Sequence, residues 1–425
     1  MNDFTKKEIA ILGLGYVGLH LAILFVHKGF KVIGIDIDIE KINKLKKGES
    51  YLSDISKELI IEINKSNLFE ATNEFKSVEN VEACILCIPT PLLNRQTPDL
   101  SYIRSTIKSI TPYLSKRKLI ILESSTYPGT TEEVILPMLE KENKKIGTDF
   151  HLAYSPERID PGNKKYQLED IPKVISGVTY KCCEKIKYLY SKVFNKTIIV
   201  SSPKVAEMTK LLENTQRFIN ISLINEIAII SNKLGINIWE VIEAANTKPF
   251  GFVNYTPGPG IGGHCIPVDP LYLSWKANEC GIDSKFIRLS NEINTQMPNY
   301  VVERITNILS AKGLSMTNSK ILLIGMTYKK DINDLRESPS TTILRELLKL
   351  NIIVSYHDPL VNKLEIDTNI YEGIELSEKV LINSDCVVIL TNHSNINYDL
   401  IIEYAPLVFD TRFEIKGDFP NVVYL

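Results

Sequence analysis

Cys265 stands in the run PFGFVNYTPGPGIGGHCIPVD, which ends at Asp269 and holds five glycines and four prolines. So much glycine and proline rules out a regular helix or a central strand and leaves a stiff loop that lets backbone approach something small. Asp269 and Pro270 then open an apolar helix, with the aspartate expected at the N-cap and the proline at the first helical position. A thiol held near a helix N-terminus is favoured as thiolate, the form that attacks carbonyl carbon. Lys210 and Asn214 form a second pair. They lie four residues apart in a long helical stretch and share one face, so a cation and an amide donor can meet one oxygen. Taken singly, each has a plainer reading: a buried structural cysteine, and a solvated pair on an exposed turn.

A third pattern changes that weighing. Residues 8–13 (EIAILG) read as a strand that ends in Gly13-Leu14-Gly15-Tyr16-Val17-Gly18, followed by the apolar helix LHLAILFVHK and a second strand closing at Asp36. This is the dinucleotide fingerprint in its strand–turn–helix–strand setting. Gly13 allows the tight turn, Gly15 admits a pyrophosphate to the backbone, Gly18 lets the helix pack on the sheet, and the helix-start amides meet the phosphate charge. Asp36 accepts ribose hydroxyls and repels a 2′-phosphate, so NAD is expected rather than NADP. A thiol beside a hydride acceptor has a specific use. Added to an aldehyde it gives a thiohemiacetal, which surrenders a hydride and becomes a thioester that water cleaves to an acid.

The positioning elements follow from the rhythm of the chain. Strands at 83–89, 118–125, 151–156, 173–178 and 197–201 alternate with helices and predict a parallel, doubly wound sheet. Ligands sit beyond the carboxyl ends of such strands, which draws attention to Thr90, Thr126 and Glu157. A helix from Ser202 to about Leu234 is apolar over most of its surface (Val205, Met208, Leu211, Leu212, Phe218, Ile219, Leu223, Ile224, Ile227, Ile230), as expected of a spine that also meets a second subunit. From 313 onward a smaller α/β domain repeats the nucleotide-fold rhythm with only Gly325 at its turn, followed by Lys329 and Lys330. The expected architecture is α/β: two Rossmann-like doubly wound domains joined by a long central helix. Its boundaries are 1–201 for NAD binding, 202–312 for a central helical and dimerisation segment with the cysteine loop, and 313–425 for the second nucleotide-type domain.

Composition narrows the class. In 425 residues the formal charge is −2, with 44% hydrophobic and 24% charged residues, as in a globular enzyme with neither a nucleic-acid nor a membrane-surface partner. No apolar run reaches the roughly 18 residues of a spanning helix. The N-terminus passes into its glycine turn before a signal-like core develops. Seven cysteines without metal-type spacing suggest a reducing cytoplasm and no metal, with Cys84 and Cys87 packed inside a strand.

Six motifs in order, GLGYVG, SSTYPGTT, SPERIDPGN, KLLENT, GPGIGGHCIPVDP and GMTYKKDINDLRESP, resemble the UDP-glucose/GDP-mannose dehydrogenase family over nearly the whole chain. Within it, SPERIDPGN and the loop before Cys265 look most like UDP-N-acetylglucosamine 6-dehydrogenases, which make uronic acid precursors of surface polysaccharides. The resemblance implies Cys265 as nucleophile, Lys210 and Asn214 as oxyanion donors, Asp269 and Thr126 holding a water, and Glu157 as general base in thioester hydrolysis. It implies that Gly13, Gly15, Tyr16, Val17, Gly18, Asp36, Thr90 and Arg336 hold NAD, and that Phe252, Asn254, Tyr255, Gly258 and Lys329 hold a UDP-sugar. The product would be the acid, with two NAD reduced per sugar, from a homodimer or higher homo-oligomer. UDP-glucose, UDP-N-acetylgalactosamine and UDP-N-acetylmannosamine stay open as substrates, although Val268 stands where UDP-glucose enzymes carry lysine. Two other readings are a simple hydroxy-acid dehydrogenase, which needs no cradled cysteine, and an NAD-dependent sensor without catalysis.

Overall fold

In the computed structural model, residues 7–93, 97–114, 117–141, 144–159, 162 and 165–425 are described. They form two compact units, one of 1–214 with 268–283 and the other of 215–267 with 284–425.

The first unit is built on an eight-stranded sheet. Its strands are β1 Glu8–Leu12, β2 Lys31–Ile35, β3 Phe69–Thr72, β4 Ala83–Leu86, β5 Lys118–Leu122, β6 Phe150–Tyr154, β7 Lys173–Gly177 and β8 Thr197–Ile199. The order is β8-β7-β6-β5-β4-β1-β2-β3. Alternate side chains enter two cores, Ile9 and Ile11 on one face, Ala10 and Leu12 on the other. A sheet covered on both faces reads as near-continuous apolar strands, and these do. The order reverses direction between β1 and β4, so a crevice opens beyond their carboxyl ends.

One expectation needs correction. The sheet is not parallel throughout: β7 runs antiparallel to β6, pairing Ala153 with Gly177 and Tyr154 with Ser176. Parallel neighbours need a crossover, usually helical. Between β6 and β7 the described residues contain only the short 3₁₀ turn Leu168–Asp170, so the chain returns in the opposite sense. The helix Tyr180–Tyr190 then supplies a crossover, and β8 lies parallel to β7.

The second unit carries a five-stranded, wholly parallel sheet of β9 Lys320–Ile324, β10 Ile353–His357, β11 Cys386–Ile389, β12 Val408–Asp410 and β13 Val422–Tyr424. Its order, β10-β9-β11-β12-β13, again reverses beside the first strand. Ile321 and Leu323 enter one core, Leu322 and Ile324 another. The helix Pro203–Lys233 begins in the first unit and ends in the second. It buries Ala206, Leu211, Phe218 and Ala228 and exposes Val205, Met208, Leu212, Leu223 and Ile230. No helix among the described residues is long and apolar enough to cross a membrane.

Candidate active site

In the first unit, Gly13 sits at φ +88°, and a Cβ there would lie 2.3 Å from the Cys87 carbonyl oxygen at the end of β4. Gly15 is the opposite case. A Cβ would meet nothing within 4 Å, so its backbone faces open space of the kind a pyrophosphate fills. The helix Tyr16–His27 starts at that point, placing Tyr16, Val17 and Gly18 in its first turn. Asp36 follows β2, nearly buried, and accepts hydrogen bonds from Leu14 N (2.8 Å) and Asp38 N (3.0 Å). A carboxylate has lone pairs beyond these two for a ribose. Lys41 Nζ lies 3.7 Å from it, a neighbouring cation that the sequence reading did not weigh. Thr90 donates to the Ser125 carbonyl (2.9 Å), tying together two of the strand ends that face the crevice. These residues fit a dinucleotide.

The catalytic candidates of this unit are buried where a solvated pair was the alternative. Lys210 and Asn214 are 8% and 9% exposed. Asn214 Nδ2 donates to Asp269 Oδ2 over 2.5 Å. Burial pushes Asp269 up to about 6 against the pull of Lys210 and of donors on Asn214 and Ser125. Asp269 is the first residue of the helix Asp269–Glu279, whose N-cap is Val268, so the expected N-cap role is not found. Its carboxylate is committed to Asn214 instead. The hydroxyls of Thr126 and Tyr154 are fully buried and stand beside each other, which suits a pair that holds a water.

Glu157 is held from two sides. Its Oε1 accepts from Arg158 N and Ile159 N (both 2.6 Å) and its Oε2 from Lys173 Nζ (3.1 Å). Burial would raise its pKa, but Lys173, Glu123 and Lys210 together outweigh burial and hold it below the usual glutamate range. Asp160, Pro161 and Asn163 of the SPERIDPGN motif lie outside the described residues. Sequence reasoning missed Glu207, one turn before Lys210. Its buried carboxylate accepts from Gly129 N (2.6 Å), Thr131 N (2.9 Å) and Thr131 Oγ1 (2.7 Å), which seats the Thr126 turn on the Lys210 helix. A charged side chain on an apolar helix face was the available signal.

In the second unit, Cys265 is exposed. Its loop is seated by the two glycines before it: Gly263 N donates to the Arg336 carbonyl (3.0 Å), and a Cβ on Gly262 or Gly263 would come within 2.6 Å of Tyr328. Burial and the Arg336 charge lower the pKa of His264, to which no catalytic role is assigned. Upstream, Gly258 N donates to Asn225 Oδ1 (2.9 Å) and Ile261 N to Asn294 Oδ1 (2.6 Å), so two helical asparagines fix the loop backbone. Phe252 and Tyr255 are half-buried, Asn254 exposed, and Gly258 packs on Arg412. Lys329 is half-buried on the turn after β9. Arg336 grips Asp334 through Nε (3.0 Å) and Nη2 (2.6 Å). Asn225, Asn294 and Arg412 carried no motif in the sequence; their partners lie in backbone far along the chain.

Patterns of the UDP-glucose/GDP-mannose dehydrogenase family match the NAD binding domain at residues 7–194, the central domain at 204–296 and the UDP binding domain at 322–416. A UDP-N-acetyl-D-mannosamine dehydrogenase of Methanococcus maripaludis is 36% identical over 97% of this chain and 94% of its own. A UDP-N-acetyl-D-glucosamine 6-dehydrogenase of Pseudomonas aeruginosa is 38% identical over 84% and 83%. The solved structure of a UDP-D-ManNAc dehydrogenase from Pyrococcus horikoshii superposes with a TM-score of 0.88 at 31% identity, covering 98% of each chain. The chain belongs to the UDP-glucose/GDP-mannose dehydrogenase family of NAD-dependent nucleotide-sugar 6-dehydrogenases.

Proposed function

We propose that the chain oxidises the C6 alcohol of a UDP-N-acetylhexosamine to the uronic acid, reducing two NAD per sugar, and that UDP-N-acetylglucosamine is the substrate. The observation that carries the chemistry is the exposed thiol of Cys265 on its glycine turn, in a chain that also bears a dinucleotide turn. NAD held by Gly13, Gly15, Tyr16, Val17, Gly18, Asp36, Thr90 and Arg336 supplies a hydride-accepting ring at each oxidation. Asp269 orients the water on Thr126, or Lys210, that takes the hydroxyl proton as C6 loses its first hydride. Cys265 Sγ then bonds to the aldehyde carbon, and Lys210 and Asn214 donate to the oxygen that gains charge. Loss of a second hydride from that carbon leaves a thioester. Glu157 takes a proton from water as the water attacks, the C–S bond breaks, and acid and thiol separate. Lys329 and the loop bearing Phe252, Asn254, Tyr255 and Gly258 hold the nucleotide sugar. The division 1–201, 202–312 and 313–425 is part of this reading, supported by the ranges that the three family patterns match.

The N-acetylglucosamine assignment rests on SPERIDPGN and the loop before Cys265. UDP-N-acetylmannosamine is a second reading, supported by the names of the archaeal relatives at 36% identity over nearly the full chain. Comparison of kcat/KM on these two substrates and UDP-glucose decides the sugar, and NADH counted per acid decides the mechanism. Two NADH per acid are expected, with Cys265→Ser stalling as a mass adduct or stopping near the aldehyde. Full acid production by Cys265→Ala would overturn the covalent route. The product serves surface polysaccharide synthesis in this reading, and seven cysteines without metal-type spacing suit a reducing cytoplasm.

A homodimer along residues 205–231 completes the proposal. Val205, Met208, Leu212, Leu223 and Ile230 line the helix Pro203–Lys233 and are each at least 39% exposed, an apolar face that a second copy would cover. Light scattering at micromolar concentration is expected to give a dimer or larger; a monodisperse monomer contradicts it.

A further inference from the structure

Strand β7 opens with a lysine in place of the apolar residue its position asks for. Lys173 is 2% exposed, and its ammonium lies between two carboxylates, 2.8 Å from Glu123 Oε2 and 3.1 Å from Glu157 Oε2. Glu123, just past the end of β5, is 1% exposed and takes the Tyr190 hydroxyl on its other oxygen. Three charges in so dry a site leave a net negative charge, which is costly to bury. One proton relieves it. Burial pushes Glu123 up to about 7, opposed by Lys173 and reinforced by the Glu157 charge, while Glu157 is held low. Of the two carboxyls, Glu123 is the one whose proton affinity the site raises.

We infer that Lys173 and Glu123 are positioning residues for Glu157: the ammonium fixes the Glu157 carboxylate in place and ionised, and Glu123 carries the proton that allows the cluster to be buried. The inference rests on the reading of Glu157 as the base in thioester cleavage. Glu157 Oε1 is already filled by two backbone amides, so Lys173 on Oε2 and the neighbouring Glu123 carboxyl are the adjustable contacts. Other groups that act on the cluster are Lys210 from the long helix, His20 from the first helix and Cys87 after β4. Lys173 lowers the proton affinity of Glu157, so removing the ammonium raises it, and hydrolysis then fails at a higher pH than before.

The test follows acyl-enzyme decay in the full-length protein by rapid quench and intact mass from pH 5 to 9, using whichever of UDP-N-acetylglucosamine and UDP-N-acetylmannosamine turns over faster. Lys173→Met is expected to move the acid midpoint of decay up by about one to two pH units and to accumulate acyl-enzyme at neutral pH. The burst of NADH from the hydride steps should remain, and Lys173→Arg should restore the midpoint. A lowered melting temperature with an unmoved midpoint would reduce Lys173 to a structural role and overturn the inference. Should Lys173→Met fail to fold, Glu123→Gln carries the test, because it fixes the neutral state of that carboxyl. Wild-type decay is expected to slow above about pH 7 as Glu123 ionises and draws Lys173 from Glu157, and the variant should lose that fall. Profiles that superimpose would overturn it. Glu157→Gln separates the two readings: decay at the wild-type rate sinks the base assignment itself, whereas accumulation with an unmoved Lys173→Met midpoint sinks only the inference.

Discussion

The turns after β1 and β9 start alike and end differently. Gly13 and Gly325 sit at φ +88° and +83°, and a Cβ on either would strike a carbonyl oxygen of the neighbouring strand end, Cys87 at 2.3 Å or Thr391 at 2.2 Å. Each donates to the carbonyl that ends the next strand, Ile35 (2.8 Å) or His357 (2.9 Å). Two positions later the likeness stops. Gly15 faces open space and the helix starts at once, whereas Thr327 fills the corresponding place and binds the Lys329 carbonyl (3.1 Å) and His393 (3.0 Å). The next helix of the second unit begins only at Pro339. One turn offers bare amides and a helix N-terminus to a pyrophosphate, and the other offers lysine side chains on a braced loop. Loss of the second glycine, more than of the first, separates a dinucleotide grip from a general nucleotide fold.

The shared half of the comparison predicts the largest effect. Gly13→Ala and Gly325→Ala should each cost about 3–5 kcal/mol, through left-handed strain and a backbone clash, and mostly yield insoluble or partly unfolded protein. Solubility and thermal melts of the two variants check this. Equal damage supports a common turn, and a well-folded Gly325→Ala would break the parallel.

Beyond these turns, legibility from sequence tracks the distance between partners. GLGYVG and Asp36 are local, and their spacing suffices to place both. An apolar strand pattern does not encode pairing direction, and among the described residues of 155–172 there is no helix to enforce a crossover, so β7 runs against the parallel sense expected of it. Asp-Pro has the form of a helix start, but Asn214, 55 residues away, claims the Asp269 side chain. The Glu123–Lys173–Glu157 cluster joins residues 50 and 16 apart and leaves one trace, charged residues at the margins of buried strands.

The divergent half predicts a separation of stability from binding. Gly15→Val adds a side chain where no protein atom lies within 4 Å, so the melting temperature should hold while KM for NAD rises about tenfold or more. Thr327→Ala should do the reverse, costing about 1–2 kcal/mol through lost hydrogen bonds with KM for NAD unchanged. Kinetics and melts on both variants decide it, and a Gly15→Val enzyme with normal KM would mean that the cofactor does not approach this backbone.

The smallest effects concern the aspartates that follow the second strand of each sheet. Asp36 keeps lone pairs for a ligand and has Lys41 beside it, so Asp36→Asn should preserve the Leu14 contact, remove the repulsion toward a 2′-phosphate and leave the cation behind. The NAD over NADP preference is expected to narrow by about tenfold, near 1.4 kcal/mol. Asp358 is spent within its own unit. Its carboxylate accepts from Met326 N (2.6 Å), Thr327 N (3.2 Å) and Leu360 N (2.8 Å) and meets His393 Nε2 at 3.3 Å. Burial would raise its pKa, but His393 and the backbone donors outweigh that and hold it low. A carboxylate with a depressed folded value adds stability above its unfolded value of about 3.9, and loses it as pH falls through the folded one. Asp358→Asn should therefore cost about 1–3 kcal/mol between pH 5 and 7, shrink that deficit below about pH 4, and leave cofactor preference untouched. Melts at pH 7, 5 and 3.5 beside NAD and NADP kinetics test both halves together. A cofactor shift in Asp358→Asn, or a pH-independent deficit, would show that the second aspartate has kept the role of the first.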